Sequence, residues 1–413
     1  MTTGIDSSAQ KGRDFKPSGR VCRQTCVQTS VTLRAMTDTL LGGISPRTFL
    51  REYWQKKPLL VRGAVPGFKG LLTPAEVRQL AADEDVESRL VCQTDEGWTL
   101  DHGPFRPRDF PRKGPWTVLI QGLNLVMPTA DALLRRFNFL PYTRLDDLMV
   151  SYATDGGGVG PHFDSYDVFL LQGAGRREWR ISAQRDLTLE EDAPLKILRH
   201  FKPTQSWILE PGDMLYLPPR YAHDGIAIGE CQTYSIGFRA PSAQELVSEF
   251  LSFLQEDVNE RGMYSDPDQA PVRNPAQIPS NMIDQVGGIL ERIRWDKSDV
   301  TRFIGRYMSE PKPHVFFDPP EAPLSFAAFV RKARQSGLSL DLRSQLLYQG
   351  KRFFMNGEEH ACKEDAMLLR TLADQRHLPR LAAVTENTLE LLYEWYCAGF
   401  VTTPSTRAHD AGK

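Results

Sequence analysis

A mainly β core inside a larger, helix-bearing chain is predicted by three features: a cluster of short β-rich runs, helix signals on both sides of it, and a length of 413 residues. Between residues 116 and 240 the runs WTVLIQ, LMVSYA, VFLLQG, EWRIS, SWILE, MLYLP and YSIGF are separated by Gly, Pro or polar turns. Seven or eight such runs read as a sandwich or a barrel. One turn carries its own mechanism. In Glu210-Pro211-Gly212-Asp213, Pro presets φ at the second position and Gly supplies a positive φ at the third.

On the N-terminal side, Ser45-Pro46 is an N-cap followed by proline at the first helical position, leading into Phe49, Leu50, Tyr53 and Trp54. Thr73-Pro74-Ala75-Glu76 is a capping box before Val77 and Leu80. On the C-terminal side, Ser242-Ala243-Gln244-Glu245 repeats that signal before Leu246, Phe250 and Leu254. Residues 280–294 and 298–308 place Met282, Val286, Ile289 and Ile293, then Val300, Phe303, Ile304 and Tyr307, at helical spacing, as a core stripe or a dimer seam. A Pro-rich linker, 311–323, precedes a small α+β unit. There Asn356-Gly357 between strand-like runs marks a hairpin, and helical patterns follow at 365–374 and 386–399. The division read from these signals is a flexible tail (1–43), N-terminal helical and strand elements packing on the barrel (44–115), the barrel (116–241), a helical region (242–310), the linker (311–323) and a C-terminal unit (324–413).

Composition excludes several classes. Apolar content of 41% and charged content of 25% are ordinary for a globular protein, and a net charge of −2 argues against wholesale nucleic-acid or membrane binding. No apolar run is long enough to span a bilayer, and the first thirty residues lack a signal-peptide core. Six cysteines are too few for a disulfide framework; Cys22 and Cys26 form a C-x3-C pair that no second pair completes into a zinc site. Reduced thiols and a cytoplasmic location follow. The basic, Ser/Thr-rich leader also fits a transit peptide, but Asp6 and Asp14 interrupt it; a start upstream of a true beginning near Met36 explains it equally well.

The chemistry concentrates in GGGVGPHFDSYDVFLLQGAGRREWRI. His162 and Asp164 form an H-x-D, and residues i and i+2 of an extended chain share a face, so both can ligate one ion. With eight histidines in the chain, this pair alone is weak, and a surface histidine is the simpler reading. PGDMLYLPPRYAH adds His223 at the end of a later strand, which a barrel can return to the same mouth. Two His and one carboxylate leave three open positions, the facial triad of non-haem Fe(II) oxygenases, and no thiolate is nearby to favour zinc. Those positions suit a bidentate 2-oxo acid and dioxygen. The remote carboxylate of 2-oxoglutarate needs a buried cation, and Arg177, sharing a face with Trp179 and Ile181, points inward. A structural pair with Asp or Glu is the alternative for Arg177. In DDLMVSYA, Asp147, Met149 and Ser151 share one face and Leu148, Val150 and Tyr152 the other. A polar face turned inward would let Ser151 bond the co-substrate and Asp147 meet a cationic side chain; turned outward, it is an ordinary solvated strand. Gly156 to Gly160 lacks a following GK[ST] and is read as room for backbone near the metal entrance, not as a phosphate loop.

Over residues 44–400 the ordered motifs LREYWQKKPLLVRG, ESRLV, HGPF, DDLMVSYATDGGGVGPHFDSYDVFLLQGAGRREWR, EPGDMLYLPPRYAHDG, YSIGFRAPS and YSDP resemble the bacterial ribosomal oxygenases of the JmjC type, which hydroxylate an arginine in a large-subunit ribosomal protein. The resemblance implies a double-stranded β-helix (cupin/JmjC) barrel, a helical dimerisation region and a C-terminal winged-helix-like unit. Carried across by motif, His162, Asp164 and His223 hold Fe(II), Ser151 and Arg177 bind 2-oxoglutarate, and Asp147, Tyr166 and Ser235 line the target-arginine pocket. It further implies hydroxylation at the arginyl C-3, driven by dioxygen and 2-oxoglutarate, by a homodimer that engages no membrane and needs no direct nucleic-acid contact. Rival readings are histidyl hydroxylation or lysyl demethylation on the same barrel, and a non-enzymatic cupin scaffold whose C-terminal unit touches nucleic acid.

Overall fold

The computed structural model describes residues 37–257 and 263–404; the expectations for the leader up to Met36 lie outside the described residues. Four short helices, α1 (Thr37–Leu40), α2 (Pro46–Glu52), α3 (Pro74–Ala81) and α4 (Pro128–Arg135), precede and interrupt the first strands. Ser45 caps α2 by accepting from Thr48 N, and Thr73 and Glu76 close a reciprocal capping box on α3, each cap contributing about 1 kcal/mol. Order begins earlier than the expected boundary at 44: Leu40 and Leu41 are buried in the main core, and Thr39 Oγ1 donates to Ala64 O. Two adjacent leucines carry no periodicity, so the local pattern hid them.

The barrel strands are β1 (Leu59–Val61), β2 (Ser88–Thr94), β3 (Gly97–His102), β4 (Trp116–Ile120), β5 (Leu145–Ala153), β6 (Val168–Gln172), β7 (Arg176–Ser182), β8 (Gln205–Leu209), β9 (Met214–Leu217), β10 (Ala222–Ile228) and β11 (Cys231–Phe238). They form an antiparallel sheet in the order β1-β9-β6-β11-β5-β4-β2-β3 and a second one, β10-β7-β8. The turn at 210–213 is as expected, with Gly212 at φ 91° and Asp213 N donating to Glu210 O.

Strict alternation sorts the side chains of the large sheet. Leu148, Val150 and Tyr152 of β5, Phe169 and Leu171 of β6, and Tyr234, Ile236 and Phe238 of β11 face outward into one apolar cluster with Phe49 and Phe137, beneath the helices. The opposite face meets the second sheet: Val168, Leu170, Leu215 and Leu217 pack on Trp179, Ile181 and Leu209. That packing fills only part of the interior. The remainder, bounded by Asp147, Met149 and Ser151 of β5, is a cavity.

Three helices follow: α5 (Ala243–Asp257), α6 (Ser280–Leu290) and α7 (Lys297–Ser309). Phe253 and Leu254 bury against Phe303, so the α5 and α7 stripes are partly core. By contrast α6 buries nothing: Ile283 and Leu290 are each 60% exposed, as are Val247 and Leu251 of α5 to a similar degree. The C-terminal unit comprises α8 (Phe326–Ser336), β12 (Leu338–Leu340), β13 (Leu346–Gln349), β14 (Arg352–Met355), β15 (Glu358–Ala361), α9 (Ala366–Gln375), β16 (His377–Leu378), α10 (Glu386–Cys397) and β17 (Val401–Thr402) around its own core. Asn356 and Gly357, both at positive φ, make the expected tight turn, and a second hairpin turns at Gly350. The Pro-rich stretch has no helix or strand, as its composition predicts, but it is not a free spacer. Lys312 pairs with Asp146, Arg343 binds Phe316 O and Asp318, and Phe317 packs edge-on against Phe400.

Candidate active site

All eight residues singled out from the sequence line one cavity of about 240 Å³ between the two sheets. The end that holds the three candidate metal ligands is built by the backbone. His162 N donates to His223 O at 2.9 Å and His223 N to His162 O at 2.8 Å, an antiparallel bridge that joins two distant stretches of chain. Arg220 N donates to Asp164 O at 2.7 Å and holds the third residue beside them. The candidate ligand atoms of His162, Asp164 and His223 lie within 4.8 Å of one another.

The hydrogen bonds around the imidazoles decide which nitrogen faces the centre. His162 Nδ1 lies 2.8 Å from Gly160 O, and His223 Nδ1 lies 2.9 Å from Tyr221 O. A carbonyl can only accept, so both Nδ1 atoms carry a proton, and Nε2 is the nitrogen each neutral ring would offer to a cation. Burial, reinforced by the neighbouring His162, pushes His223 down to about 4, so its ring is neutral. Its 3.7 Å approach to the Asp164 carboxylate is therefore not an ion pair: two acceptors face one point with no proton between them. A cation belongs there, and the N2O donor set suits Fe(II).

Deeper in the cavity, Arg177 is 4% exposed, as the alternation of β7 predicts. Its Nη1 donates to Ser151 Oγ at 3.2 Å, while Nε and Nη2 have no hydrogen-bond partner among the described residues. A buried guanidinium with unspent donors requires an anion. A carboxylate of 2-oxoglutarate meets that requirement, so the structural-pair alternative for Arg177 has no support here. Ser151 Oγ reaches Thr233 O only at 3.4 Å, leaving it free to turn toward a ligand. At the other side stands Asp147, 5% exposed, with Tyr166 on the rim at 41% and Ser235 half-buried. The polar face of β5 thus looks inward, which alternation alone left open.

The glycines at 157 and 158 allow the close backbone approach that their small size suggests. A Cβ at Gly157 would stand 2.5 Å from Trp116 O, and one at Gly158 2.5 Å from Gly225 O, so the loop is pressed onto β4 and β10. Sequence reasoning missed Arg89, Gln121, Lys196, Thr233 and Gly237, which also line the cavity. Thr233 and Gly237 stand two positions either side of Ser235 and were reachable by alternation. Lys196, in the long connection between β7 and β8, had no local signal.

Comparison with known proteins agrees with this geometry. Residues 132–246 match the JmjC domain family, and residues 292–402 match the ROXA-like winged helix. The chain is 33% identical over 343 residues to the ribosomal protein uL16 3-hydroxylase of Escherichia coli (strain K12), covering 82% of this chain and 88% of that one. It is 39% identical over 242 residues to a probable ribosomal oxygenase of Haemophilus influenzae, covering 54% and 55% respectively. The structure of the E. coli ribosomal oxygenase YcfD in complex with cobalt and 2-oxoglutarate superposes with a TM-score of 0.75 at 31% identity, over 87% of this chain and 98% of that one. Fold and cavity therefore define an iron(II)- and 2-oxoglutarate-dependent dioxygenase built on a JmjC barrel with a C-terminal winged helix. Within that class, the chain belongs to the ribosomal oxygenase family.

Proposed function

We propose that this protein hydroxylates the β-carbon (C-3) of an arginine in the large-subunit ribosomal protein uL16, with His162, Asp164 and His223 holding iron, Arg177 and Ser151 holding 2-oxoglutarate, and Asp147, Tyr166 and Ser235 receiving the target side chain. The observation that carries the reading is Asp147, a buried carboxylate in the same cavity as the triad and the unspent donors of Arg177. When bound, iron(II) with 2-oxoglutarate supplies dioxygen activation, placing one oxygen atom in succinate, with loss of CO2, and the other on the target carbon. The chain's own work is placement. The two Nε2 atoms and the Asp164 carboxylate would fix the ion, and Arg177 would grip the co-substrate's far carboxylate through Nε and Nη2. Clamping the guanidinium at Asp147 leaves the side chain's β-carbon free to face the ion. The uL16 3-hydroxylase of E. coli, similar over most of both chains, supports the substrate.

Homodimerisation through α5 and α6 fits the exposed Val247, Leu251, Ile283 and Leu290. Replacing Ile283 and Leu290 with Glu should shift the protein to monomer in analytical ultracentrifugation. Direct nucleic-acid contact is not required by the reading: α10 exposes Glu386, Glu390 and Glu394 and carries no Lys or Arg, while α8 exposes Arg331 and Arg334. No described helix is long and apolar enough to cross a membrane, and a cytoplasmic location fits the proposed ribosomal substrate. The test is direct: incubate uL16 with the enzyme, Fe(II) and 2-oxoglutarate, then map the added oxygen by tandem mass spectrometry. Oxygen on an arginine C-3 is expected; oxygen on a histidine, or none on any residue, sinks the reading.

A further inference from the structure

Among the described residues, the carboxylate of Asp147 is held by hydrogen bonds from one side. Its Oδ2 accepts from the Gln121 side-chain amide and from Gly122 N at 3.2 Å. Gln121 Oε1 in turn accepts from Arg89 Nη2 at 3.1 Å, which fixes the amide with its nitrogen toward Asp147. Asp147 Oδ1 receives no hydrogen bond among the described residues. Beside it lies Gly237, where an added Cβ would stand 3.3 Å from Oδ1. The φ of Gly237 lies outside the left-handed region, so backbone conformation does not call for a glycine there. What the glycine provides is room.

Resting on the function proposed above, we infer that Gln121 is a positioning residue that fixes Asp147 by one oxygen and turns the other into the cavity, and that Gly237 clears the space in which a planar guanidinium meets it. Specificity for arginine then resides in three residues from three strands or their ends, with Asp147 alone touching the target charge. The shape argument favours a flat, forked cation lying along the open floor at Gly237 over a compact ammonium, which would need no such clearance. Gln121 has a second consequence. Burial pushes the Asp147 carboxyl up, Lys312 opposes that, Asp146 adds to it, and the Gln121 and Gly122 hydrogen bonds pull it back down. Removing the Gln121 amide therefore loosens the carboxylate and also weakens its hold on the charge that a guanidinium needs.

The test is a steady-state comparison on uL16 of the wild type, Gln121→Leu, Asp147→Asn and their double variant, with Gly237→Ala as an independent probe. Gln121→Leu is expected to raise KM for uL16 roughly tenfold or more while kcat at saturating uL16 falls far less. In the Asp147→Asn background the same substitution should add little, because a residue that acts through another has nothing left to act on. Gly237→Ala should raise KM several-fold by crowding Oδ1, and this arm stands even if Gln121→Leu fails to fold. A Gln121→Leu effect of the same size in both backgrounds, a loss in kcat with KM unmoved, or a Gly237→Ala enzyme with wild-type KM overturns the inference. If Asp147→Asn itself leaves uL16 turnover intact, the proposed function falls first, so the two failures are told apart.

Discussion

Two buried arginines, one in the barrel and one in the C-terminal unit, show how differently the two regions are built. Arg376 is 9% exposed and spends its guanidinium on backbone: Nη1 donates to Ser344 O at 2.8 Å, and Nη2 to Asp341 O and Leu342 O at 2.8 and 3.1 Å. Asp131 of α4 stands 3.7 Å from its Nε, and burial pushes its pKa down to about 10. Arg177 is buried more deeply, yet among the described residues it makes one hydrogen bond and leaves two nitrogens unspent. The first is a strut that closes a core already filled by Phe353, Met355, Leu369 and Leu372. The second borders a space that the fold left open. A satisfied buried cation reports architecture; an unsatisfied one reports a missing anion.

That contrast can be broken at three points. The largest effect belongs to the proposed metal triad, where Asp164→Ala removes its one anionic member; succinate formation from 2-oxoglutarate should drop to background, and retained turnover would refute the assignment. Next is Arg177→Met. Losing two charge-assisted hydrogen bonds should raise KM for 2-oxoglutarate about a hundredfold, with a smaller effect on the urea unfolding midpoint. Smallest in its effect on catalysis is Arg376→Met. Three carbonyls lose their donor, so stability should fall by about 3 kcal/mol in urea titration, while KM for 2-oxoglutarate below the unfolding transition stays where it was. A 2-oxoglutarate defect in Arg376→Met would mean that the two arginines differ less than their surroundings suggest.

Much of this was legible in the sequence because it depends on short-range rules. Period-2 alternation put Arg177 inward with Trp179 and Ile181, and capping boxes marked the starts of α3 and α5. Alternation also paired Asp147 with Ser151, but it cannot say which face of a strand is inside; that depends on Phe49 and Phe137, which cover the opposite face from far along the chain. Gln121 was out of reach for the same reason, since its importance is a hydrogen bond to Asp147 and not a pattern of its own. The Pro-rich stretch read as a spacer because its composition forbids helix and strand, while its anchors, Asp146, Arg343 and Phe400, are all supplied by other elements.

The backbone bridge between His162 and His223 has a consequence for how the enzyme acquires its metal. Because main-chain hydrogen bonds and carbonyl-held rings aim both imidazoles, the socket is moulded by the polypeptide itself. In small zinc-dependent domains the ion organises the chain; a socket held by main-chain hydrogen bonds predicts the reverse order, with folding before loading. Chelation is therefore expected to leave the far-UV circular dichroism and the urea midpoint near their loaded values, with activity restored by Fe(II) alone; unfolding on chelation would refute this.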